Sequence, residues 1–208
     1  MDLLEAKPGS RLLDIGSGGG HLLAHAYGRK IIAYGVDISI EALQRSHRIY
    51  QMTNIIQAAA EELPFPNETF DYITCLGSLE HFYDPQSALL EMRSVLKKPQ
   101  GQACIVVPNL WSFLAVMRGW YHGVGITHRQ ESERFYSLVE AQSLLTQNGF
   151  IIEQVFGYHK PQSCYNEEKS QKAGVLNRLY HLTYRYWRRL LPPTAAYAFV
   201  FICRPQCG

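Results

Sequence analysis

The sequence has no apolar run approaching the ~18 residues that a membrane span requires. Charge is sparse and nearly balanced: charged residues make up 18% and the formal net charge is +2, too little for a surface built to neutralise nucleic acid. The five cysteines (Cys75, Cys104, Cys164, Cys203, Cys207) form no C-x-x-C pair and have no histidine at zinc spacing, so neither a structural metal nor a disulfide framework is expected. Cys75, Cys104 and Cys203 lie in apolar strand-like runs, where a thiol behaves as a small hydrophobe. The opening Met1-Asp2-Leu3-Leu4-Glu5 lacks the basic and apolar regions of a secretory signal, and a reducing, cytoplasmic setting is expected. No internal repeat or linker divides the 208 residues, so residues 1–208 read as one domain.

Glycine is what the sequence concentrates. Leu12-Leu13-Asp14-Ile15-Gly16-Ser17-Gly18-Gly19-Gly20 reads as a short buried strand, a turn with no Cβ in the way of a ligand, and then a helix start. That order makes the nucleotide-type crevice of a doubly wound sheet. A dinucleotide fingerprint requires G-x-G-x-x-G, and His21 occupies the third glycine position. Asp14 precedes the turn, where its carboxylate would repel a pyrophosphate and attract a ligand bearing a sulfonium and an ammonium.

Strands and helices alternate from residue 11 to 107. Strands are expected at 11–15, 31–37, 54–58, 70–76 and 102–107; helices follow at 21–27, after the Ser39 cap, and from Asp84-Pro85 to Leu96. Alternation of this kind implies a parallel sheet with right-handed crossovers. Beyond it, 109–134 is aromatic-rich without a clean period and reads as an insertion over the sheet edge. Ser137-Leu138-Val139-Glu140 is a capping box for a helix ending at Asn148-Gly149, and strands are expected at 150–156 and 195–203. Between them, 159–172 is polar, and 175–191 has the spacing of a basic amphipathic helix.

Asp14-x-Gly16-x-Gly18-x-Gly20 resembles the first motif of class I S-adenosylmethionine-dependent methyltransferases. The run Phe70-Asp71-Tyr72 to Leu79-Glu80-His81-Phe82, with Asp84-Pro85 and Leu96-Lys97-Lys98-Pro99-Gln100-Gly101, is similar to the stretch joining the fourth and fifth strands in the small-molecule methyltransferases of the ubiquinone and menaquinone type. The resemblance covers residues 11–109, about half the chain. It implies a seven-stranded Rossmann-like α/β sheet of order 3-2-1-4-5-7-6 with an antiparallel last strand, and S-adenosyl-L-methionine as cofactor. Asp14, Gly16, Gly18 and Gly20 would then hold the methionine end, with Ser17 in the same turn. Asp37 would accept the ribose hydroxyls, with Ile38 beside it. Ala60 and Glu61 would line the adenine side, with Leu76 a further cofactor-binding residue; Ala59 stands where the family commonly has an aspartate, and Glu61 is the substitute carboxylate.

A sulfonium is already a strong methyl donor, so alignment of donor and acceptor is the main requirement, and a base is needed only if the acceptor must lose a proton. His81, just past the fourth strand, is the first candidate base and His128 the second. The expected activity is methyl transfer, oxygen first among acceptor atoms, to a small or lipid-like molecule, with neither metal nor nucleic acid. Segments 109–134 and 159–192 would form the lid or acceptor region, and 175–191 offers a peripheral membrane contact. Two alternatives stand beside this one. A non-catalytic partner subunit of the same fold is favoured by Ala59. A dinucleotide-dependent oxidoreductase is opposed by Asp14 and His21.

Overall fold

A computed structural model describes residues 2–110, 134–158, 194 and 196–206. Its strands are β1 (Arg11–Ile15), β2 (Ile32–Asp37), β3 (Ile55–Gln57), β4 (Tyr72–Leu76), β5 (Gln102–Pro108), β6 (Phe150–Tyr158) and β7 (Ala198–Pro205). They form one sheet in the order β3-β2-β1-β4-β5-β7-β6. β1 to β5 are parallel, and β7 runs antiparallel to both β5 and β6. This is the expected topology.

The helices are α1 (His21–Gly28), α2 (Ile40–Tyr50), α3 (Pro85–Val95) and α4 (Leu138–Gln147). Their starts are chemically fixed. Ser39 Oγ accepts from the Ala42 amide at 3.2 Å, and Asp84 Oδ1 from the Gln86 amide at 3.0 Å with Pro85 opening α3. At α4 both halves of the capping box are present: Ser137 Oγ accepts from Glu140 N at 3.3 Å, and Glu140 Oε2 from Ser137 N at 2.8 Å.

Parallel strands buried on both faces need apolar residues at successive positions, and β1 supplies them. Leu13 and Ile15 face a core made with Ile73, Ala103, Ile105, Phe199 and Phe201 of the sheet and Leu89, Met92 and Leu145 of α3 and α4. Leu12 faces the opposite core with Leu4, Ala26, Ile31, Cys104, Val200 and Ile202. Cys75, Cys104 and Cys203 are buried free thiols, and desolvation pushes Cys104 to about 11 and Cys203 to about 12. Cys164 and Cys207 lie outside the described residues.

Several boundaries differ from expectation. β4 begins at Tyr72, because Phe70 leaves the ladder for a single bridge to Leu96 and buries its ring against Tyr34 and Phe65. β3 keeps only three residues, and β7 starts at Ala198. A single 3-10 turn, Leu79–His81, follows β4. Residues 111–133 of the proposed insertion and all of 159–192, the segment 175–191 included, lie outside the described residues. Among the described residues no helix is long and apolar enough to cross a membrane.

At the amino-terminal edge of the sheet, Asp71 ties three elements together. Its carboxylate accepts from the Arg11 amide at 2.8 Å and from Lys97 Nζ at 2.7 Å, while the Arg11 guanidinium lies over the Tyr34 and Phe70 rings. Partial burial pushes this carboxyl upward, but the Arg11 amide and Lys97 outweigh it and hold the group below the usual carboxylate range. A depressed carboxylate contributes stability that is present above its unfolded value and lost as pH falls through the folded one. Asp71→Ala should therefore lower stability by about 1–2 kcal/mol near pH 7, read as a denaturant midpoint. The deficit should shrink at pH 3; an equal deficit at both would refute the assignment.

Candidate active site

In a doubly wound sheet, ligands seat where the strand order reverses, at the carboxyl ends of the strands. Here that place lies between β1 and β4. The turn after β1 is fastened to β2: the amides of Gly16 and Ser17 both donate to the Val36 carbonyl, at 2.8 and 3.0 Å. Gly16, Gly18 and Gly20 all have positive φ, at 69°, 51° and 76°. Their surroundings differ. A Cβ on Gly16 would overlap the Ser78 hydroxyl and come within 2.5 Å of its Cβ. One on Gly20 would overlap the Ser46 hydroxyl and lie 2.9 Å from its Cβ, so α1 and α2 touch there at backbone distance. A Cβ on Gly18 would meet nothing within 4 Å, which leaves open space on that side of the turn.

Asp37 ends β2 and reaches the same turn. Its Oδ2 accepts from the Gly18 amide at 2.7 Å and its Oδ1 from the Ser39 amide at 2.9 Å. Each oxygen keeps acceptor capacity, since a carboxylate has about four lone-pair sites. The residue expected to hold a ribose is thus also the clamp that fixes the glycine turn. Ile38, next in chain, is 73% exposed, and Leu76 at the end of β4 is 43% exposed; two large apolar side chains therefore stand open at the carboxyl edge. Ala60 is buried and Ala59 half-buried. Glu61 Oε1 accepts from the Asp84 amide at 3.1 Å, so the carboxylate expected to replace the missing aspartate also anchors the start of α3.

Asp14 is buried beneath the turn and accepts from Thr74 Oγ1 at 2.7 Å. Desolvation pushes its carboxyl up to about 7; the Thr74 bond opposes this and the nearby Asp37 charge adds to it. Ser17 is 8% exposed, and among the described residues its hydroxyl has no hydrogen-bond partner. His21 opens α1 and is hydrogen-bonded through Nδ1 to the Tyr50 hydroxyl at 2.7 Å, so the third glycine position of a dinucleotide turn is filled by an engaged ring. His81 sits in the turn after β4, with Nε2 4.0 Å from Glu80 Oε1 and a buried Nδ1 that has no partner among the described residues. His128, the second candidate base, lies outside the described residues.

The fold, the turn and the carboxylates together place the candidate residues at the carboxyl ends of β1 to β4. A methyltransferase domain model matches residues 13–105. Over those residues the chain is similar to that domain. The uncharacterized methyltransferase YcgJ of Bacillus subtilis is 37% identical over 101 residues, covering 45% of this chain and 39% of that protein. A ubiquinone/menaquinone biosynthesis C-methyltransferase, UbiE of Shewanella oneidensis, is 34% identical over 133 residues, covering 54% and 53%. The chain thus spans about half the length of the curated relatives it matches. A solved putative methyltransferase of Bacillus halodurans superposes with a TM-score of 0.69 at 20% identity, over 100% of this chain and 97% of that one, which shows that the two share a fold.

Three contributors to the site were not anticipated. Thr74 in the middle of β4 and Ser78 just after it are short polar residues with no motif of their own. Arg134 reaches the turn after β4 from beyond the matched domain, with no signal in its local sequence.

Two outcomes follow from this geometry. Gly18→Ala should cost only the left-handed backbone strain of about 1–2 kcal/mol. Gly16→Ala should cost clearly more, and Ser78→Gly should recover the difference but not the strain; equal losses in the two single variants, read by thermal unfolding, would refute the packing. Asp14 carries the second outcome. Its folded value lies above its unfolded one, so the protein loses stability as pH rises from about 4 to about 7. Asp14→Asn should raise the unfolding midpoint at pH 8 by on the order of a few kcal/mol and leave it unchanged at pH 4.

Proposed function

We propose that this chain transfers the methyl group of S-adenosylmethionine to a small-molecule acceptor. The observation that carries the proposal is the buried Asp14 carboxylate directly beneath an open glycine turn. A negative charge there disfavours a phosphate and favours a cationic sulfonium and ammonium, because Coulomb energies grow where water is excluded.

The residues present fit this cofactor. Asp14 and the open space beside Gly18 receive the methionine end. Asp37, already held by two amides, offers its remaining lone pairs to the ribose hydroxyls. Ile38 and Leu76, with the backbone of Ala60 and the stem of Glu61, provide apolar surface for the adenine. Bound S-adenosylmethionine supplies an electrophilic methyl group on sulfur. The remaining task is orientation, which can lower a barrier by about 7–11 kcal/mol. In this reading His81 receives the proton of an acceptor hydroxyl, a share worth roughly 10²–10⁴-fold.

The acceptor we infer carries an acidic hydroxyl on a small or lipid-like ring. Deprotonation at that group makes its oxygen nucleophilic, and also the ring carbon beside it, which is the atom type named for the UbiE relative. Oxygen remains the first assignment, and the mass and carbon spectrum of the product distinguish the two. A second reading, a partner subunit with a weakened site, is favoured by Ala59 together with the engagement of Glu61 at α3.

Calorimetric titration with S-adenosylmethionine and S-adenosylhomocysteine tests the assignment. Micromolar binding is expected, lost at least tenfold in Asp37→Ala, a change of roughly 1.4 kcal/mol or more. Affinity for S-adenosylmethionine should rise with pH towards about 7 and then level off, because the cation requires ionised Asp14. The slope should be shallower for S-adenosylhomocysteine, which lacks the sulfonium charge. No binding of either by folded protein would overturn the enzyme assignment in favour of the partner subunit.

A further inference from the structure

The turn after β4, residues 78–84, is seated in the core through Leu79 and is fastened at three further places. At its start Ser78 packs against Gly16, with its Oγ 3.4 Å from the Gly16 carbonyl oxygen. At its end the Asp84 amide donates to Glu61 Oε1 at 3.1 Å. Both of these fastenings lie within the matched residues 13–105. The middle of the turn, which carries His81, is held from elsewhere.

Arg134 supplies that third fastening. Its amide donates to the Glu80 carbonyl at 3.0 Å. Its guanidinium donates through Nη1 to the Phe82 carbonyl and through Nη2 to the Tyr83 carbonyl, the latter at 3.1 Å. Three carbonyls within four consecutive residues thus converge on one arginine, using the fixed fork that lysine lacks. Bonds from a cationic donor are roughly twice as strong as neutral ones.

The position of Arg134 does not depend on its side chain. Two residues on, Tyr136 pairs with the end of β5: the Leu110 amide donates to the Tyr136 carbonyl at 3.0 Å, and residues 109 and 136 form a parallel bridge. The guanidinium therefore acts outward, on the turn.

We propose that Arg134 is a positioning residue that sets His81 relative to the cofactor turn by holding the carbonyls of residues 80–83. For the reaction, this rests on the methyltransferase assignment above. Arg134 lies outside the matched domain, so this control of the base belongs to the second half of the chain.

The test uses the full chain with Arg134→Ala and Arg134→Lys. The readouts are the His81 ring resonance and its pH titration, assigned with His81→Gln, amide exchange over residues 79–83, and S-adenosylhomocysteine titration. In Arg134→Ala, exchange over 79–83 should accelerate about tenfold or more while the strands keep their protection. The His81 resonance and titration midpoint should move, and affinity for S-adenosylhomocysteine should stay within about threefold. Arg134→Lys, able to serve one carbonyl, should fall between the two. An unchanged His81 signal with unchanged exchange in Arg134→Ala would overturn the proposal. So would global unfolding of that variant, because the pairing of Tyr136 with β5 should keep the scaffold intact. Absence of S-adenosylhomocysteine binding by the unsubstituted protein would sink the methyltransferase assignment alone and leave the displacement of His81 readable.

Discussion

The site depends on a steric constraint: the backbone of residues 16–20 has no room for side chains where it meets its neighbours. Ser78 occupies the space a Cβ on Gly16 would need, and Ser46 the space one on Gly20 would need. At the second of these α2 packs directly against the turn that begins α1, and at the first the loop after β4 packs directly against the turn that ends β1. Hydrogen bonds then fix what sterics permits, through the Val36 carbonyl and the Asp37 carboxylate. At Gly18, by contrast, a Cβ would meet nothing within 4 Å.

Electrostatics works against stability at the same place. Asp14 is held in a dry position by one hydroxyl and faces a second carboxylate, Asp37, so its charge is costly in the unliganded protein. A bound cation would relieve that cost. Stability sacrificed in this way at a binding site is a common arrangement, because a site that is comfortable when empty has less to gain on binding.

Much of this was legible in the sequence, for physical reasons that differ from element to element. The parallel sheet followed from alternation between residues 11 and 107, while the strand order and its antiparallel last strand came from the resemblance. Helix starts at Ser39, Asp84 and Ser137 were legible because capping chemistry is local. Phe70 was misplaced in the strand because its apolar character fits a ladder equally well, and only the rings of Tyr34 and Phe65 decide otherwise. Dual duties were illegible: Asp37 as clamp and Glu61 as anchor depend on amides far away in sequence. Arg134 could not be found at all, because its three partners are carbonyls, and every residue has one.

The insertion of β7 between β5 and β6 governs the order in which the sheet can be completed during synthesis. Once residues 102–108 have emerged, the outer edge of β5 has no strand to pair with, since its neighbour is made of residues 198–205. β6 emerges earlier than β7 yet pairs only with it, so it must wait beside an unfinished sheet. An unpaired edge of buried type is a template for wrong partners. The nascent chain thus carries an exposed seam from the time β5 forms until β7 arrives, and closure of that seam is the step that completes the sheet.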